Sequence, residues 1–187
     1  MLSPSSSSES SESVFNGSGA GTSSEPVTDE KLETILKQVQ SQLPAENGTW
    51  AVFISDLVNG TEGSLNDQKM QAASLIKLYI MGAVYENYDQ ITGQYGSDSV
   101  DSNLYSMITV SDNESCNELG RLQSEKHDFL DGAEKVNEYL KKEGYTKTSY
   151  QSTLHPSASK LITLGGHNQT TVTDCGKLLE RIYRGEC

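Results

Sequence analysis

The chain has 187 residues and a formal net charge of −12 at pH 7, because 26 Asp and Glu outnumber 14 Lys and Arg. This length suits one domain with a tail, and the acidic balance argues against binding to nucleic acid or to an anionic membrane surface. There is no Gly-rich phosphate loop, and the three cysteines lack metal-ligand spacing with histidine, so we predict neither a cofactor nor a metal ion.

The first 28 residues differ in composition from the rest of the chain. They are rich in Ser, Gly, Glu and Pro and contain almost no apolar side chains, which predicts a disordered linker over residues 1–28. A positively charged start followed by an apolar stretch is absent, so no signal peptide is visible. Because such linkers often tether secreted domains, we expect an extracytoplasmic protein whose export or anchor segment precedes Met1.

Residues 29–187 form the predicted domain, which opens with a helix and two strands. Thr28 is a good cap for this helix. An apolar stripe at helical spacing predicts a helix that packs against the sheet. The stripe consists of Leu32, Ile35, Leu36, Val39 and Leu43. Residues 50–57 predict a strand, Asn59-Gly60 a turn, and residues 63–66 a short second strand.

Lys77 interrupts the most apolar run of the chain, residues 75–81. A lysine in a buried segment is rare unless it is paired or used in chemistry. Ser74 lies three residues earlier, at the expected start of a buried helix, and positions i and i+3 share one helix face. A serine beside a desolvated lysine is an activated nucleophile, and backbone N–H groups at a helix start can hold a developing negative charge. The alternative is a buried helix whose lysine extends to solvent.

A second motif favours the first of these interpretations. Ser-x-x-Lys alone is weak in a serine-rich chain, and Ser157 to Lys160, a second match in a polar stretch, is interpreted as chance. Ser111-Asp112-Asn113 precedes a predicted helix over residues 114–122, and by itself it would be an ordinary helix cap. Together and in this order, the two motifs match Ser-x-x-Lys and Ser-Asp-Asn of class A β-lactamases and penicillin-binding proteins.

The resemblance to this family extends over residues 47–187. The strand at 50–57 resembles the family's first core strand, residues 73–77 its nucleophile helix, and residues 132–140 its middle helix. The threonine-rich segment 170–173 resembles the entry to a later helix. The chain therefore resembles a class A β-lactamase-related serine hydrolase. The family implies an α+β fold of the α/β sandwich type, with an antiparallel sheet and a helical domain.

The family also implies the roles of four residues. Ser74 is the nucleophile that attacks a β-lactam or peptide carbonyl, and its backbone N–H supplies half of an oxyanion hole. Lys77 accepts or relays the serine proton, and Ser111 passes a proton to the leaving nitrogen. Asn113 holds Lys77 and the side-chain amide of the substrate. The partner is then a small-molecule β-lactam or a peptidoglycan peptide, and the activity is β-lactam hydrolysis.

The sequence departs from the family pattern in its missing third motif and in one spacing. Lys-Thr-Gly is absent, and Lys147-Thr148-Ser149 comes too early in the chain to replace it. In the family, three further strands, a last helix and half of the oxyanion hole follow the point that corresponds to Cys187. We therefore expect a truncated domain, or one completed by a second polypeptide. Ser74 and Ser111 are also closer than in typical members, and we expect a polar loop at 93–103 and an altered active-site rim.

A further departure concerns release of the acyl group. The family's deacylating glutamate has no counterpart, because residues 145–173 contain no Asp or Glu. His155 and His167 could act as bases, although solvated loop histidines are the simpler interpretation, and Asn168 could mimic a water-positioning amide. We expect a long-lived acyl-enzyme, closer to penicillin-binding or peptidase behaviour than to efficient antibiotic hydrolysis. Two alternatives remain: a degenerate relative that binds cell-wall ligands without turnover, and an inactive fragment.

Overall fold

The computed structural model describes residues 30–44, 46, 48–154 and 160–186. The predicted linker, the Thr28 cap, His155 and residues 157–159 of the second Ser-x-x-Lys match lie outside this part. The described elements are α1 (Glu30–Gln42), β1 (Val52–Asp56), β2 (Thr61–Leu65), β3 (Met70–Gln71), a 3-10 turn (Ala73–Leu75), α2 (Ile76–Glu86), α3 (Tyr88–Tyr95), α4 (Ser97–Thr109), α5 (Asn113–Leu122), α6 (Phe129–Lys142), β4 (Gln169–Thr170) and α7 (Val172–Arg184).

Strands β1 and β2 form an antiparallel hairpin, as the turn signal predicted. The pairing runs from Val52 opposite Leu65 to Asp56 opposite Thr61. The Asp56 carboxylate closes the turn by accepting hydrogen bonds from the backbone N–H groups of Val58 and Asn59 at 2.9 and 3.1 Å. Helix α1 packs on β2 and helix α7 packs on β1, so the hairpin lies between two helices.

Helix α1 confirms the prediction of a helix that packs on the sheet. Leu32 and Leu36 are buried, whereas Ile35 is 45% exposed. Leu36 lies against Gly63 of β2, where a Cβ would come within 2.7 Å of its Cδ1. The absence of a side chain at Gly63 therefore lets the helix approach the hairpin closely.

Helix α2 is the centre of the helical part. It is apolar on most faces and buries Ile76, Tyr79, Ile80, Ala83 and Val84 completely. Helices α3, α4, α5 and α6 pack around it. Burial of each large apolar side chain stabilises the fold by roughly 1.5–3 kcal/mol, so this helix is held firmly in place.

The prediction of a polar loop over residues 93–103 is wrong. Helix α3 ends at Tyr95, Gly96 takes a left-handed φ of +86°, and α4 begins at Ser97. Val100, Leu104 and Met107 are buried on one face of α4. Their spacing of four and three residues is a helical stripe. The many Ser, Asp and Asn residues on the exposed face concealed this stripe in the sequence.

The arrangement confirms the predicted α+β class. The described strands form two antiparallel pairs, β1 with β2 and β3 with β4, and helices α2 to α6 pack against one another. Met70 pairs with Thr170 and Gln71 with Gln169, which brings a late segment of the chain beside the start of α2. Among the helices in the described ranges, none has the length and apolarity needed to cross a membrane.

Helices α5 and α6 approach closely enough to generate a stability prediction. A Cβ at Gly132 of α6 would overlap the carbonyl oxygen of Gly120 on α5. Gly132→Ala should therefore lower the free energy of unfolding by roughly 1–3 kcal/mol, because backbone atoms cannot move aside. Gly93→Ala in α3 is the control: no atom lies within 4 Å, and stability should rise by about 0.5–1 kcal/mol. Urea unfolding measures both, and an unchanged Gly132→Ala variant would contradict this packing.

Candidate active site

Ser74 lies in the 3-10 turn that joins β3 to α2. The residue is exposed, and the N-cap positions of the 3-10 turn and of α2 fall on Ala72 and Leu75 instead. Ala73, immediately before it, has a φ of +46°. A left-handed conformation is uncommon for a residue other than glycine and costs roughly 1–3 kcal/mol. This backbone presents the Ser74 hydroxyl at the surface, directly beside Lys77.

The Lys77 side chain is buried beneath two exposed hydroxyl groups. The residue is 3% exposed. Its Nζ lies 3.3 Å from Ser74 Oγ, 2.9 Å from Ser111 Oγ and 2.8 Å from Asn113 Oδ1, and it also donates to the Ser111 carbonyl oxygen. The structure thus brings together all four residues that the sequence indicated.

Burial makes Lys77 easier to deprotonate than an ordinary lysine. Burial lowers the pKa of Lys77 from its ordinary value of 10.5, because removal from water penalises the ammonium, while Cys116 and Asp112 act in the opposite direction. A neutral amine has two N–H groups and one lone pair. The Ser111 carbonyl and Asn113 Oδ1 can only accept hydrogen bonds, so they engage the two N–H groups. The lone pair is then available to a hydroxyl proton.

The Ser-Asp-Asn segment serves both as a helix cap and as part of this cluster. Asp112 is the N-cap of α5, where its carboxylate accepts the Ser115 N–H at 2.7 Å, and this hydrogen bond lowers the pKa of Asp112. Helix α5 begins at Asn113, one residue earlier than predicted. Ser111 takes a left-handed φ of +57° and its Oγ donates to Ser74 Oγ at 3.1 Å. The cap therefore orients the two neighbouring side chains toward Lys77.

Three buried or half-buried asparagines hold the loop within residues 145–173, the segment that lacks the family's deacylating glutamate. Each amide binds backbone N–H and C=O groups of the loop at distances between 2.7 and 3.1 Å. The pairs are Asn137 with Tyr150, Asn168 with Gln151 and Ser152, and Asn117 with Leu154. Sequence reasoning missed this arrangement, because an isolated asparagine in a loop carries no signal of its partner.

Asn168 therefore does not have the water-positioning role proposed for it from the sequence. Its Oδ1 accepts from the N–H groups of Gln151 and Ser152, and its Nδ2 donates to the Ser152 carbonyl. The residue is 4% exposed, so its amide is directed into the loop rather than toward the Ser74 hydroxyl. His167, next to it in the chain, is exposed.

The segment Lys147-Thr148-Ser149 belongs to a structural network. Lys147 forms an ion pair with Asp67 at 2.7 Å. Thr148 Oγ1 donates to the Asp174 carboxylate at 2.8 Å and lies 2.9 Å from the Thr170 hydroxyl, which in turn lies 2.8 Å from the Tyr79 hydroxyl. Burial raises the pKa of Tyr79 to about 12, so the phenol stays neutral. The network joins α2, β4 and α7 behind the candidate site.

Within the described residues, neither a reactive cysteine nor a metal site competes with Ser74 as the reactive group. Cys116 is fully buried in the core, and burial raises the pKa of its thiol to about 12, which makes it a poor nucleophile. Cys175 is also buried and free. Within the described ranges, no group of three or more His, Cys, Asp or Glu side chains is placed to hold a metal ion.

Comparison with solved structures supports a β-lactamase-like fold. Penicillin-binding protein D2 from Listeria monocytogenes, in its ampicillin-bound form, matches with a TM-score of 0.53 and 23% identity over 72% of this chain and 61% of that chain. Its cefotaxime-bound form gives 0.52 and 22% over 75% and 65%. A β-lactamase from Sphaerobacter thermophilus gives 0.53 and 18% over 72% and 56%. The chain thus spans about three fifths of the length of these proteins.

Sequence comparison identifies the family. The model of the beta-lactamase enzyme family matches residues 31–98 and 93–187, which together cover the whole described part from the second residue of α1 onward. No curated protein sequence matches the chain at a significant level. The family match coincides with the solved structures in fold and includes both motifs around Ser74 and Ser111. The chain therefore belongs to the beta-lactamase enzyme family.

Proposed function

We propose that this chain acts as a serine hydrolase on β-lactams through an acyl-enzyme on Ser74. The observation that carries the proposal is the exposed Ser74 hydroxyl, which lies 3.3 Å from a buried amine and 3.1 Å from the Ser111 hydroxyl. A hydroxyl becomes a nucleophile when a neighbouring base can take its proton. Lys77 fits this need because burial lowers its pKa and its N–H groups are engaged elsewhere.

The four residues support a complete acylation step. Ser74 Oγ attacks the β-lactam carbonyl carbon while its proton passes to Lys77 Nζ. The Ser74 N–H lies in the first turn of the helix, where backbone N–H groups lack helical acceptors, and it can stabilise the oxyanion. As the ring C–N bond breaks, Ser111 Oγ gives its proton to the nitrogen and regains one from Lys77. Asn113 holds Lys77 and binds the substrate amide, which limits the motion of both groups.

The loop chemistry favours a slow second step. Residues 145–173 contain no Asp or Glu to activate a water molecule, and the Asn168 amide is bound to the loop backbone. The acyl-enzyme should therefore persist. This supports a second candidate function, a penicillin-binding or peptidoglycan-peptidase activity, or cell-wall ligand binding without turnover. The ampicillin-bound and cefotaxime-bound states of the Listeria protein agree with a site that retains β-lactams.

We further propose that another polypeptide segment adds a strand to β1. Within the described residues, β1 has a strand partner on one edge only. A groove of about 420 Å³ lies beside the turn that carries Ser74. Its lining includes Trp50, Leu75 and Leu179, which are each nearly half exposed. An unpaired edge next to apolar surface is suited to β-strand addition.

Trp50 reports on this strand addition, because it is the chain's only tryptophan. When a strand pairs with β1, the indole should be buried and its emission should shift to shorter wavelength. Tyr105, 71% exposed on α4, lies outside the groove, and iodination of this side chain should stay unchanged. If the emission does not shift and Trp50 stays as exposed as it is in this chain, the proposal is wrong.

Intact-protein mass spectrometry after incubation with a penicillin tests the role of Ser74. The wild type should gain the full mass of the penicillin, because ring opening loses no atoms, and the adduct should persist. Ser74→Ala should show no adduct. Ser157→Ala, in the second Ser-x-x-Lys match, is the matched control and should retain it. A wild type without an adduct would instead favour a ligand-binding relative or an incomplete domain.

The pH dependence of acylation tests the role of Lys77. The rate should rise with pH as Lys77 loses its proton, with an apparent pKa below 10.5, because burial lowers the pKa of this lysine. Lys77→Arg, which stays charged, should slow acylation by roughly 10²–10⁴-fold and remove the rise. Lys142→Arg, on an exposed side chain of α6, should behave as the wild type. A pH-independent wild-type rate would exclude Lys77 as the base.

A further inference from the structure

Asn168 lies where the 145–170 loop meets the segment that leads to Ser74. It is 4% exposed, and its Oδ1 accepts from the N–H groups of Gln151 and Ser152 at 2.7 and 2.9 Å. Its Nδ2 donates to the Ser152 carbonyl at 2.9 Å. These bonds fix the side chain, and with it the backbone of Asn168, relative to the loop.

The backbone of the same residue holds the other segment. The Asn168 carbonyl accepts the Ala72 N–H at 2.8 Å. This bond continues the β3–β4 ladder, in which Gln71 pairs with Gln169, by one residue toward the 3-10 turn. The position of Ala72, two residues before Ser74, therefore depends on where Asn168 lies. Asn117 binds the loop in a similar way at Leu154, whereas Asn137 binds Tyr150, the neighbour of Ser149, which itself pairs with Gln169.

The left-handed Ala73 explains why the position of Ala72 matters. A φ of +46° persists only where neighbouring contacts determine the backbone on both sides. On one side the Ala72 N–H is held by Asn168, and on the other the Ala72 carbonyl accepts the Leu75 N–H at 2.9 Å. If Ala72 is released, Ala73 can relax to an ordinary φ, and the Ser74 hydroxyl then leaves its place beside Lys77.

We propose that Asn168 is a positioning residue for acylation. Its side chain orders the loop, and its carbonyl fixes Ala72 so that Ala73 stays left-handed and Ser74 Oγ stays within 3.3 Å of Lys77 Nζ. The inference rests on the proposed role of Ser74 as the nucleophile. It assigns the loop a function that needs no carboxylate, because the loop orients the serine instead of activating a water molecule.

A comparison of the three asparagines tests this inference. Asn168→Ala should lower the acylation rate at saturating penicillin by roughly tenfold to a hundredfold, since small displacements of reacting groups have large effects. Asn117→Ala removes an equivalent bridge to Leu154 and is the matched control, so it should change this rate less than about threefold at a similar loss of melting temperature. Asn137→Ala, whose bridge to Tyr150 lies next to the Ser149–Gln169 pair, should have an intermediate effect. Asn168→Asp, which keeps both accepted hydrogen bonds, should recover part of the rate. Equal losses in all three alanine variants would overturn the proposal.

Hydrogen exchange gives a readout that does not need catalysis. The peptide that contains Ala72 to Ser74 should exchange faster in Asn168→Ala than in wild type, and should be unchanged in Asn117→Ala. If the wild type forms no adduct while this pattern holds, the proposed function fails and the positioning of Ser74 by Asn168 stands. Unchanged exchange in Asn168→Ala overturns the positioning, whatever the acylation result. If Asn168→Ala does not fold, the same comparison is made with Asn168→Asp.

Discussion

The buried amine of Lys77 is the group on which the candidate site depends. A charged or unsatisfied amine inside a protein costs several kcal/mol, so it needs oxygen atoms at hydrogen-bond distance. Those atoms come from Ser74, Ser111 and Asn113, and therefore from two separate helix starts. The buried faces of α2 and α5 set the distance between these helix starts. The packing of the core thus determines the geometry of the candidate site.

Two strained residues follow from this constraint. Ala73 and Ser111 both have left-handed φ values, and each directs a serine hydroxyl toward Lys77. Hydrogen bonds hold both residues. The Ala72 N–H, just before Ala73, donates to the Asn168 carbonyl, and the carbonyl of Ser111 itself accepts from Lys77. The left-handed conformation costs of the order of 1–3 kcal/mol at each position, and these hydrogen bonds and the surrounding packing offset that cost.

The sequence predicted the parts of the fold that depend on local pattern. The apolar run around Lys77, the hairpin turn at Asn59-Gly60 and the cap at Asp112 are visible within a few neighbouring residues. The error over residues 93–103 arose because polar residues on the exposed face outnumbered the buried Val100 on the other. The role of Asn168 was misjudged because its partners lie 16 and 17 residues away and are backbone atoms, which leave no trace in the pattern of side chains.

The sequence by itself determined which residues could carry the chemistry. Ser74 and Lys77 are three positions apart, and helix geometry alone places them on one face. Only the tertiary structure decided that they meet Ser111 and Asn113, which are 34 and 36 residues from Lys77. It also placed the Asn168 carbonyl 2.8 Å from the Ala72 N–H, two residues before Ser74. The physical reason is that these contacts depend on how buried helix faces pack together. Such packing is determined by many residues that are distant in sequence, and not by the spacing of a few neighbours.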